Sequence, residues 1–379
     1  MMIKRLLSFL LAVCAGIAPL WGSTAAAETN AAMLSTTTSR ISPSEHVCAN
    51  ANCYWEMPMD LTDEAEVWKM LMAPMTVLEG TQRDVKPLYE LPDENSAAIG
   101  RITCYSQGVH VLETLDNGWS RVECYSPLYN GRRAIAWNVL MQGYIPTEWL
   151  REQPMTTRFG IVVDKLDQRL YFYADGHLLD VLNVSTGLPT ERNPSNETTS
   201  GEFILCSAVG HFVTRSGGVA QMAIRFNRGT LLHEIPYSVD NNGDRVYRRS
   251  QALLGQRASE GCIRVQREST PKGLNMRWLW TTLRNEMGTK IVIWEDVQGR
   301  SITPPDDLFR LYYAPDVDAR YYHSSHNCYS LKWKRKAKLY PFAYRDLDVA
   351  HFVDLDPCPH CNPPFRPEKI ADINARLSK

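Results

Sequence analysis

Short runs of β-branched and aromatic residues, separated by turn signals, fill the middle of this 379-residue chain. Five such runs occupy residues 159–164, 170–174, 177–185, 202–208 and 223–233. Asp175-Gly176, a typical two-residue hairpin turn, connects the second run to the third. Strands at this density leave little chain for helices, so the region from about 157 to 297 is predicted to be mainly β.

One helix is predicted within this region. Thr270 is a residue type that caps helix N-termini, and Pro271 suits the first turn. Apolar side chains then recur at spacings of four, three and four, at Met276, Trp280, Leu283 and Met287. The apolar run 291–294 is predicted to follow as a buried strand, which completes a mainly β unit with one principal helix.

The first 27 residues have the three regions of a secretory signal peptide. Lys4 and Arg5 supply the positive start, an apolar run covers residues 6–20, and three alanines precede Glu28. The run is shorter than the roughly 20 apolar residues that a membrane span needs. We therefore expect a secreted protein of the cell wall or periplasm, with no stable membrane span after cleavage; a retained anchor is the alternative. Residues 28–65 are predicted to be an N-terminal linker or extension.

The charge balance argues against a nucleic-acid-binding protein, and the number of cysteines indicates a free or metal-bound thiol. The chain has 41 Lys and Arg against 42 Asp and Glu, so no basic field indicates a nucleic-acid partner. Of its ten cysteines, only Cys14 lies in the signal segment, which leaves nine. An oxidising compartment allows disulfides, but an odd number leaves at least one sulfur free or metal-bound. Cys262 is our candidate for the free thiol.

Residues 66–152 are predicted to form a small antiparallel barrel, because short alternating runs are separated by turn residues. The hairpin 117–122 and the closing segment 143–150 resemble a bacterial SH3-like domain. The resemblance implies either binding of cell-wall peptides or a spacer before a catalytic domain. Cys104 and Cys124 fall in runs predicted to be neighbouring strands, which favours a cross-strand disulfide.

His233 and Cys262, 29 positions apart, are the candidate catalytic pair. A thiol attacks only as thiolate, and its ordinary pKa is about 8.5, so the cysteine needs a base or a positive neighbour. His233 is predicted to hold the thiolate as an ion pair and later to pass the proton to a leaving amine. Gly261 lets the backbone approach closely, so N–H groups around Gly261 and Cys262 are expected to stabilise the oxyanion. The alternatives are a buried inert thiol and an ordinary core histidine.

Three further residues are candidate substrate-binding groups. Arg264 carries a planar, permanent charge that suits clamping a substrate carboxylate or bracing the turn. Ser259 and Tyr237 complete the set, since they lie close in sequence to the cysteine and the histidine.

Four ordered segments around these residues resemble the L,D-transpeptidase catalytic domain of the YkuD type. They are residues 161–173, Val184-Ser185-Thr186-Gly187, Thr199-Ser200-Gly201-Glu202-Phe203 and residues 288–293. The resemblance implies a β-sandwich over residues 157–297, with Cys262 as nucleophile and His233 as base. In such families a backbone carbonyl near the base orients it, which implies that Glu234 orients His233.

The chain departs from this family pattern at two places. The family's turn usually reads Ser-His-Gly-Cys, and Glu260 stands here in place of that histidine. A carboxylate at this position is expected to raise the pKa of the thiol or to alter substrate choice. Residues 238–258 are longer than the family's usual spacer and contain four arginines. We expect this insertion to be either a lid over the acceptor site or an ordinary solvated loop.

Residues 305–379 are predicted to form a small Cys/His module. A Cys-x2-Cys pair and a third cysteine thirty positions before it accompany two histidines. These residue types at this spacing are typical of a structural zinc site, and a disulfide among the cysteines is the alternative. The candidate ligands are Cys328, Cys358, Cys361 and His323, or His326 in place of His323.

The family resemblance implies an exported peptidoglycan L,D-transpeptidase that cross-links stem peptides by acyl transfer. Its expected partners are peptidoglycan stem peptides. No cofactor is expected for catalysis, because a thiolate, a base and an oxyanion pocket suffice for acyl transfer. Water as the acceptor would make the protein an L,D-carboxypeptidase. A non-catalytic cell-wall-binding protein, in which Glu260 marks a decayed site, is the remaining alternative.

Overall fold

The computed structural model describes residues 61–294, 304–326, 328–332, 338–358, 361 and 363–377. The predicted signal peptide and nearly all of the predicted linker lie outside these residues. The described chain is mainly β, as predicted, and its helices are few and short. None of the described helices has the length and hydropathy that crossing a membrane requires.

The first part of the described chain contains a five-stranded antiparallel sheet. Helix α1 (Glu64–Met72) and strand β1 (Met75–Leu78) precede it. Its strands are β2 (Val85–Tyr89), β3 (Ala98–Thr103), β4 (His110–Thr114), β5 (Trp119–Asn130) and β6 (Arg133–Pro146), in the order β3-β2-β6-β5-β4. A 3-10 turn, Thr147–Trp149, leads to β7 (Leu150–Gln153), which pairs with β1. The sheet has its own apolar core, and its SH3-like nature stays a prediction.

The disulfide predicted between Cys104 and Cys124 is wrong, because both thiols are free and buried. Cys104 follows β3 and Cys124 lies in β5, and two other strands, β2 and β6, separate these in the sheet order. Both sulfurs belong instead to the apolar core of this sheet. Strands β3 and β5 meet through Arg101 and Ser126, but the Cys104 sulfur packs against Gly80, where an added Cβ would lie 3.1 Å from it.

Residues 159–294 contain a nine-stranded mixed sheet. Its strands are β8 (Phe159–Asp164), β9 (Arg169–Ala174), β10 (His177–Ser185), β11 (Gly201–Ile204), β12 (Ser207–Val213), β13 (Val219–Asn227), β14 (Thr230–Glu234), β17 (Ile263–Val265) and β18 (Lys290–Trp294). The order is β11-β18-β8-β9-β10-β17-β14-β13-β12. Between β14 and β17 the chain forms a hairpin, β15 (Ser238–Val239) with β16 (Arg245–Val246), and helix α2 (Arg248–Ala252).

This sheet curls so that its two ends enclose one core. Strands β11 and β13 are far apart in the strand order, yet the rings of Phe203 and Phe226 stand 5.5 Å apart, edge to face. Along β8, Ile161 and Val163 point into this core, as alternation along a strand requires. Val162 points to the other face, where helix α1 covers it. Two layers of strands around one apolar core agree with the predicted β-sandwich.

The predicted helix is present but begins later than predicted. Helix α3 spans Met276–Leu283, and the Asn275 side chain caps it by accepting a backbone N–H of the first turn at 2.9 Å. Thr270, the predicted cap, instead donates its hydroxyl to Asp180. Gly273, with a φ of +91°, closes a turn between the two positions. This turn delays the helix, whose apolar face then packs into the sandwich core.

A buried charge cluster joins these parts. The Lys290 ammonium of β18 lies 2.8 Å from the Glu202 carboxylate of β11. The same carboxylate lies 2.7 Å from Nε2 of His110, in β4. All three side chains are almost fully buried. Lys290 also donates to the carbonyls of Met70 and Ala73, at the end of α1. Buried charges persist only when they are paired, so this cluster ties α1 and the five-stranded sheet to the nine-stranded one.

The C-terminal region adds a four-stranded sheet and short helices. In chain order its elements are β19 (Arg310–Ala314), α4 (Pro315–Asp318), β20 (Ala319–His323), α5 (Tyr329–Lys332), β21 (Tyr340–Ala343), β22 (Asp356–Pro357) and α6 (Pro367–Leu377). The strand order is β21-β19-β20-β22, and β20 pairs in parallel with β22. A small core of leucine and aromatic side chains supports this sheet. The predicted domain boundaries as a whole stay predictions.

Candidate active site

Cys262 and His233 project from the same face of two neighbouring strands. Strands β14 and β17 pair in parallel, with Leu232 opposite Ile263 and His233 opposite Arg264. Leu232 and Ile263 both point into the core, so the residues on either side of them point to the opposite face. Cys262, directly before β17, is thus a diagonal neighbour of His233. Strand spacing and rise place their Cα atoms about 8 Å apart.

His233 is held in one tautomer by its own strand. The ring is buried, with 1% exposed, and its Nδ1 lies 2.6 Å from the carbonyl oxygen of Glu234. A carbonyl oxygen only accepts, so Nδ1 carries the proton and Nε2 of the neutral ring is the acceptor. This is the orienting bond that the family resemblance implied. The ring of Phe212 packs edge to face on the imidazole at 5.1 Å.

Burial moves both pKa values away from those of an ion pair. Burial lowers the pKa of His233 from 6.5 to about 4, and the charge of Arg264 acts in the same direction. Burial also raises the pKa of Cys262, more than the Leu231 N–H and the charge of Arg264 lower it. Burial thus disfavours the charged form of each group. The predicted resting ion pair stays a prediction.

The cysteine turn is held by a glycine and by its own serine. Gly261 has a φ of +114°, a left-handed conformation that favours glycine. The buried Ser259 hydroxyl donates to Cys262 O at 2.5 Å and accepts the Gly261 N–H at 3.1 Å. Substrate binding by Ser259 and oxyanion binding by the Gly261 N–H stay predictions. An oxyanion would have to replace the serine oxygen as partner of that N–H.

Beneath the turn lies the loop 187–198. The Thr198 hydroxyl donates to Gly261 O at 2.7 Å and accepts the Gly187 N–H at 2.8 Å. Gly187 has no room for a side chain, because a Cβ there would overlap the backbone oxygen of Asn196 and lie 2.8 Å from Thr198 N. The loop and the cysteine turn therefore form one closely packed, hydrogen-bonded unit.

A buried ion network anchors this loop. Glu197 lies 2.7 Å from the Lys165 ammonium and 2.5 Å from the Arg257 guanidinium. Lys165, 1% exposed, also donates to Thr198 O at 3.0 Å. Arg257 donates to Gly187 O at 2.9 Å. Three separate segments thus contribute the residues that hold the loop 187–198 beneath the cysteine turn.

Arg264 stands directly across from His233 on the face that carries the thiol. Its half-buried guanidinium interacts electrostatically with Glu260 and Cys262. Glu260 raises the pKa of Cys262, in the direction expected for a carboxylate at this position, although burial is the larger cause. Arg264 is therefore placed beside the candidate nucleophile, as both of its predicted roles require.

The insertion 238–258 packs on Tyr237. The Arg245 guanidinium covers the Tyr237 ring at 4.8 Å, and the Tyr247 ring stands 5.4 Å from it. Tyr237 is only 9% exposed, so it supports the base of the insertion, whereas the hairpin tip is exposed. A substrate contact by Tyr237, and the lid and loop alternatives for the insertion, stay predictions.

Comparison with protein families gives a match to this part of the chain. The YkuD family, described as the L,D-transpeptidase catalytic domain, matches residues 158–293. These residues form a YkuD domain. The match contains Cys262 and His233 and confirms the resemblance drawn from the sequence. No curated protein matches the chain.

Three of the similar solved structures illustrate the extent of the likeness. A fused zinc-dependent amidase, peptidase and peptidoglycan-binding-domain protein from Clostridium acetobutylicum is 21% identical, with 37% of this chain and 53% of that chain covered and a TM-score of 0.24. An L,D-transpeptidase from Xylanimonas cellulosilytica is 18% identical, with 36% and 60% covered and a TM-score of 0.26. One from Stackebrandtia nassauensis is 17% identical, with 38% and 58% covered and a TM-score of 0.25. This chain thus spans about half to three fifths of their lengths.

Three residues that support the cysteine turn were not predicted from the sequence: Lys165, Glu197 and Thr198. Thr198 had a signal, since it directly precedes the Thr199-Ser200-Gly201 motif. Lys165 and Glu197 had none, because their pairing depends on a loop that folds back beneath the cysteine turn. Charged residues in such positions read as ordinary surface groups in a sequence.

Outside the YkuD domain, four predicted metal ligands come together. The ligand atoms of His323, Cys328, Cys358 and Cys361 lie within 4.8 Å of one another. The sulfurs of Cys328 and Cys358 are 3.6 Å apart, and Cys361 Sγ is 3.7 Å from His323 Nδ1. Each of the three cysteines is a free thiol. His326, the alternative ligand, is exposed and packs beside Tyr312 instead.

Proposed function

We propose that this protein is an exported peptidoglycan L,D-transpeptidase with Cys262 as its nucleophile. The observation that carries the proposal is the placement of Cys262 and His233 on one face of two paired strands. The bond from Nδ1 to Glu234 O leaves Nε2 of His233 to accept a proton. The family match over residues 158–293 supports the reaction class.

In the first half-reaction the thiol attacks the carbonyl after the third, diamino acid residue of a tetrapeptide stem. His233 Nε2 accepts the thiol proton as the C–S bond forms. The C–N bond then breaks, and the imidazolium returns that proton to the leaving amine. D-alanine departs, and the remaining stem is held as a thioester on Cys262.

In the second half-reaction a side-chain amine of a neighbouring stem attacks the thioester. His233 accepts the proton that the amine loses and gives it to the departing thiolate, so the resting enzyme is restored. Arg264, beside both groups, stabilises negative charge on sulfur and offers a partner for a stem carboxylate. No cofactor enters this balance of atoms.

The proposal extends to the setting of the enzyme. Residues 1–27 support export to the cell wall or periplasm, because they have the charge and hydropathy pattern of a signal peptide. The five-stranded sheet preceding the YkuD domain is proposed to be SH3-like and to act as a wall-binding module or a spacer. Peptidoglycan stem peptides are the proposed partners.

A product analysis tests the proposal. The purified protein is incubated with a disaccharide-tetrapeptide, and the products are separated and weighed by mass spectrometry. We expect cross-linked dimers formed with loss of one D-alanine per bond. Cys262→Ala should abolish them, and His233→Ala should do so without unfolding the domain. Cys206→Ala, which changes the other cysteine of the YkuD domain, should leave them unchanged.

Two other outcomes contradict the proposal in different ways. Disaccharide-tripeptide without dimers would identify water as the acceptor and make the protein an L,D-carboxypeptidase. Retention on purified sacculi with no release of D-alanine would indicate a non-catalytic wall-binding protein.

A further inference from the structure

We propose that His323, Cys328, Cys358 and Cys361 bind one structural zinc ion in the C-terminal region. The four ligand atoms already lie within 4.8 Å of one another. They belong to a part of the chain outside residues 158–293, so this proposal is independent of the proposed transpeptidase activity.

Two distances within the cluster match the edges of a tetrahedral zinc site. Zn–S bonds of about 2.3 Å and Zn–N bonds of about 2.05 Å give tetrahedron edges of about 3.8 Å between sulfurs and about 3.6 Å between sulfur and nitrogen. The corresponding edges here are 3.6 Å for Cys328 to Cys358 and 3.7 Å for Cys361 to His323. A disulfide would need two sulfurs about 2.05 Å apart, so the arrangement fits a shared central ion.

The fold brings the ligands together through one pair of parallel strands. His323 ends β20, and Cys358 directly follows β22, the neighbour of β20. The Ser324 N–H points to the sulfur of Cys361 at 3.4 Å, and the Ser324 hydroxyl donates to Cys361 O at 2.9 Å. Outer hydrogen bonds of this kind orient metal-binding side chains. Hydrogen bonds from Ser324 therefore hold Cys361, one of the four ligands, in place.

The donor set selects the metal and its role. Three thiolates and one imidazole suit zinc, whereas magnesium and calcium require oxygen ligands. Side chains supply all four positions of a tetrahedron, and three of the ligands, His323, Cys328 and Cys358, are at most 1% exposed. No coordination position is left for water or substrate, so the ion is structural.

Metal analysis of the full-length protein tests the proposal. The protein is loaded with Zn²⁺, freed of loose metal on a desalting column and measured by inductively coupled plasma mass spectrometry. We expect about one zinc per chain. Cys358→Ser and His323→Ala should each lower this value at least tenfold. His326→Ala and Cys206→Ser, which change the same residue types outside the cluster, should keep it.

A measurement on the unaltered sequence covers the case in which the variants do not fold. Exchange of the metal for Co²⁺ should produce the thiolate-to-cobalt charge-transfer band and the visible bands of tetrahedral cobalt. The proposal is overturned if the unaltered protein retains no stoichiometric zinc and shows no such bands. Peptide mapping that finds a disulfide among Cys328, Cys358 and Cys361 in the native protein would overturn it as well.

Discussion

Withdrawing Cys262 and His233 from water penalises the charged form of each side chain. The pKa of the imidazole falls to about 4, and the pKa of the thiol rises. Arg264 lies beside both groups, where its charge opposes the imidazolium and favours the thiolate. We therefore expect the proton to move during attack on the carbonyl, and not in advance of it.

We predict that activity persists in mildly acidic solution. His233 accepts a proton only while it is neutral, so activity should fall as the pH drops through about 4, and not through 6.5. The pH dependence of kcat/KM reports the pKa values of the free enzyme. An acidic limb at 6.5 or above in the unaltered enzyme would contradict the burial argument. Phe212→Ala, which opens the ring to water, should move the limb upward.

The proximity of Cys262 and His233 could be predicted from the sequence, but their burial could not. Both residues stand in motifs with local signatures, and the Glu234 carbonyl is adjacent in sequence. Their burial depends on how completely strands β12, β14 and β17 shield the site, and that is set by pairing between distant segments.

At the scale of elements, the cysteine turn depends on a loop that carries no reacting group. The loop 187–198 reaches Gly261 through the Thr198 hydroxyl and is fixed from below by the pairing of Glu197 with Lys165 and Arg257. Each of the two largely buried cations thus has this carboxylate as a partner. The position of Cys262 therefore depends on the loop 187–198 and on the ion pairs that hold this loop.

We predict that Gly187→Ala impairs catalysis more than stability. The new Cβ would overlap Asn196 O, so the loop must shift beneath the cysteine turn. Misplacement by about 1 Å can cost on the order of 10²-fold in rate, and we expect a fall of that size in kcat.

The matched control for this prediction is Gly160→Ala, in strand β8. Its Cβ would meet the Leu71 side chain of α1 at 2.7 Å, far from the turn. We expect a stability loss of about 1–3 kcal/mol from overpacking, with kcat retained. Thermal unfolding and kcat are measured for both variants. Equal effects on kcat would contradict the support role of the loop.

Local rules predicted the type of most elements but misplaced several boundaries. The predicted run 202–208 is divided between β11 and β12, and the predicted run 223–233 is a hairpin of β13 and β14. Hairpin β9 to β10 turns at Asp175-Gly176, as the sequence indicates, because this turn needs positive φ at both positions. Helix α3 starts at Met276 and not at Thr270, because Asn275 competes successfully as the cap. Both residues satisfy the same propensity rule, but the Thr270 hydroxyl bonds to Asp180 of β10 and to the Leu274 N–H in place of a helix N-terminus.

At the scale of the whole molecule, the contacts that decide the architecture join distant segments. His110 and Glu202 are 92 positions apart, and with Lys290 they connect the two large sheets. The sequence predicts β structure on both sides of this joint, but strand order depends on pairing over long separations. The error over Cys104 and Cys124 has this cause, since neighbours in sequence were taken for neighbours in the sheet.

The proposed mechanism requires that Cys262 carries the acyl group between two half-reactions. Acid quenching of the protein with excess tetrapeptide donor and no amine acceptor, followed by mass mapping of its peptides, detects such an adduct. We expect the mass of the donor acyl group, without D-alanine, on the peptide that contains Cys262. The adduct should be absent from Cys262→Ala and present in Cys206→Ala. Turnover of the donor with an adduct on another residue, or with Cys262 removed, would show that Cys262 is not the nucleophile.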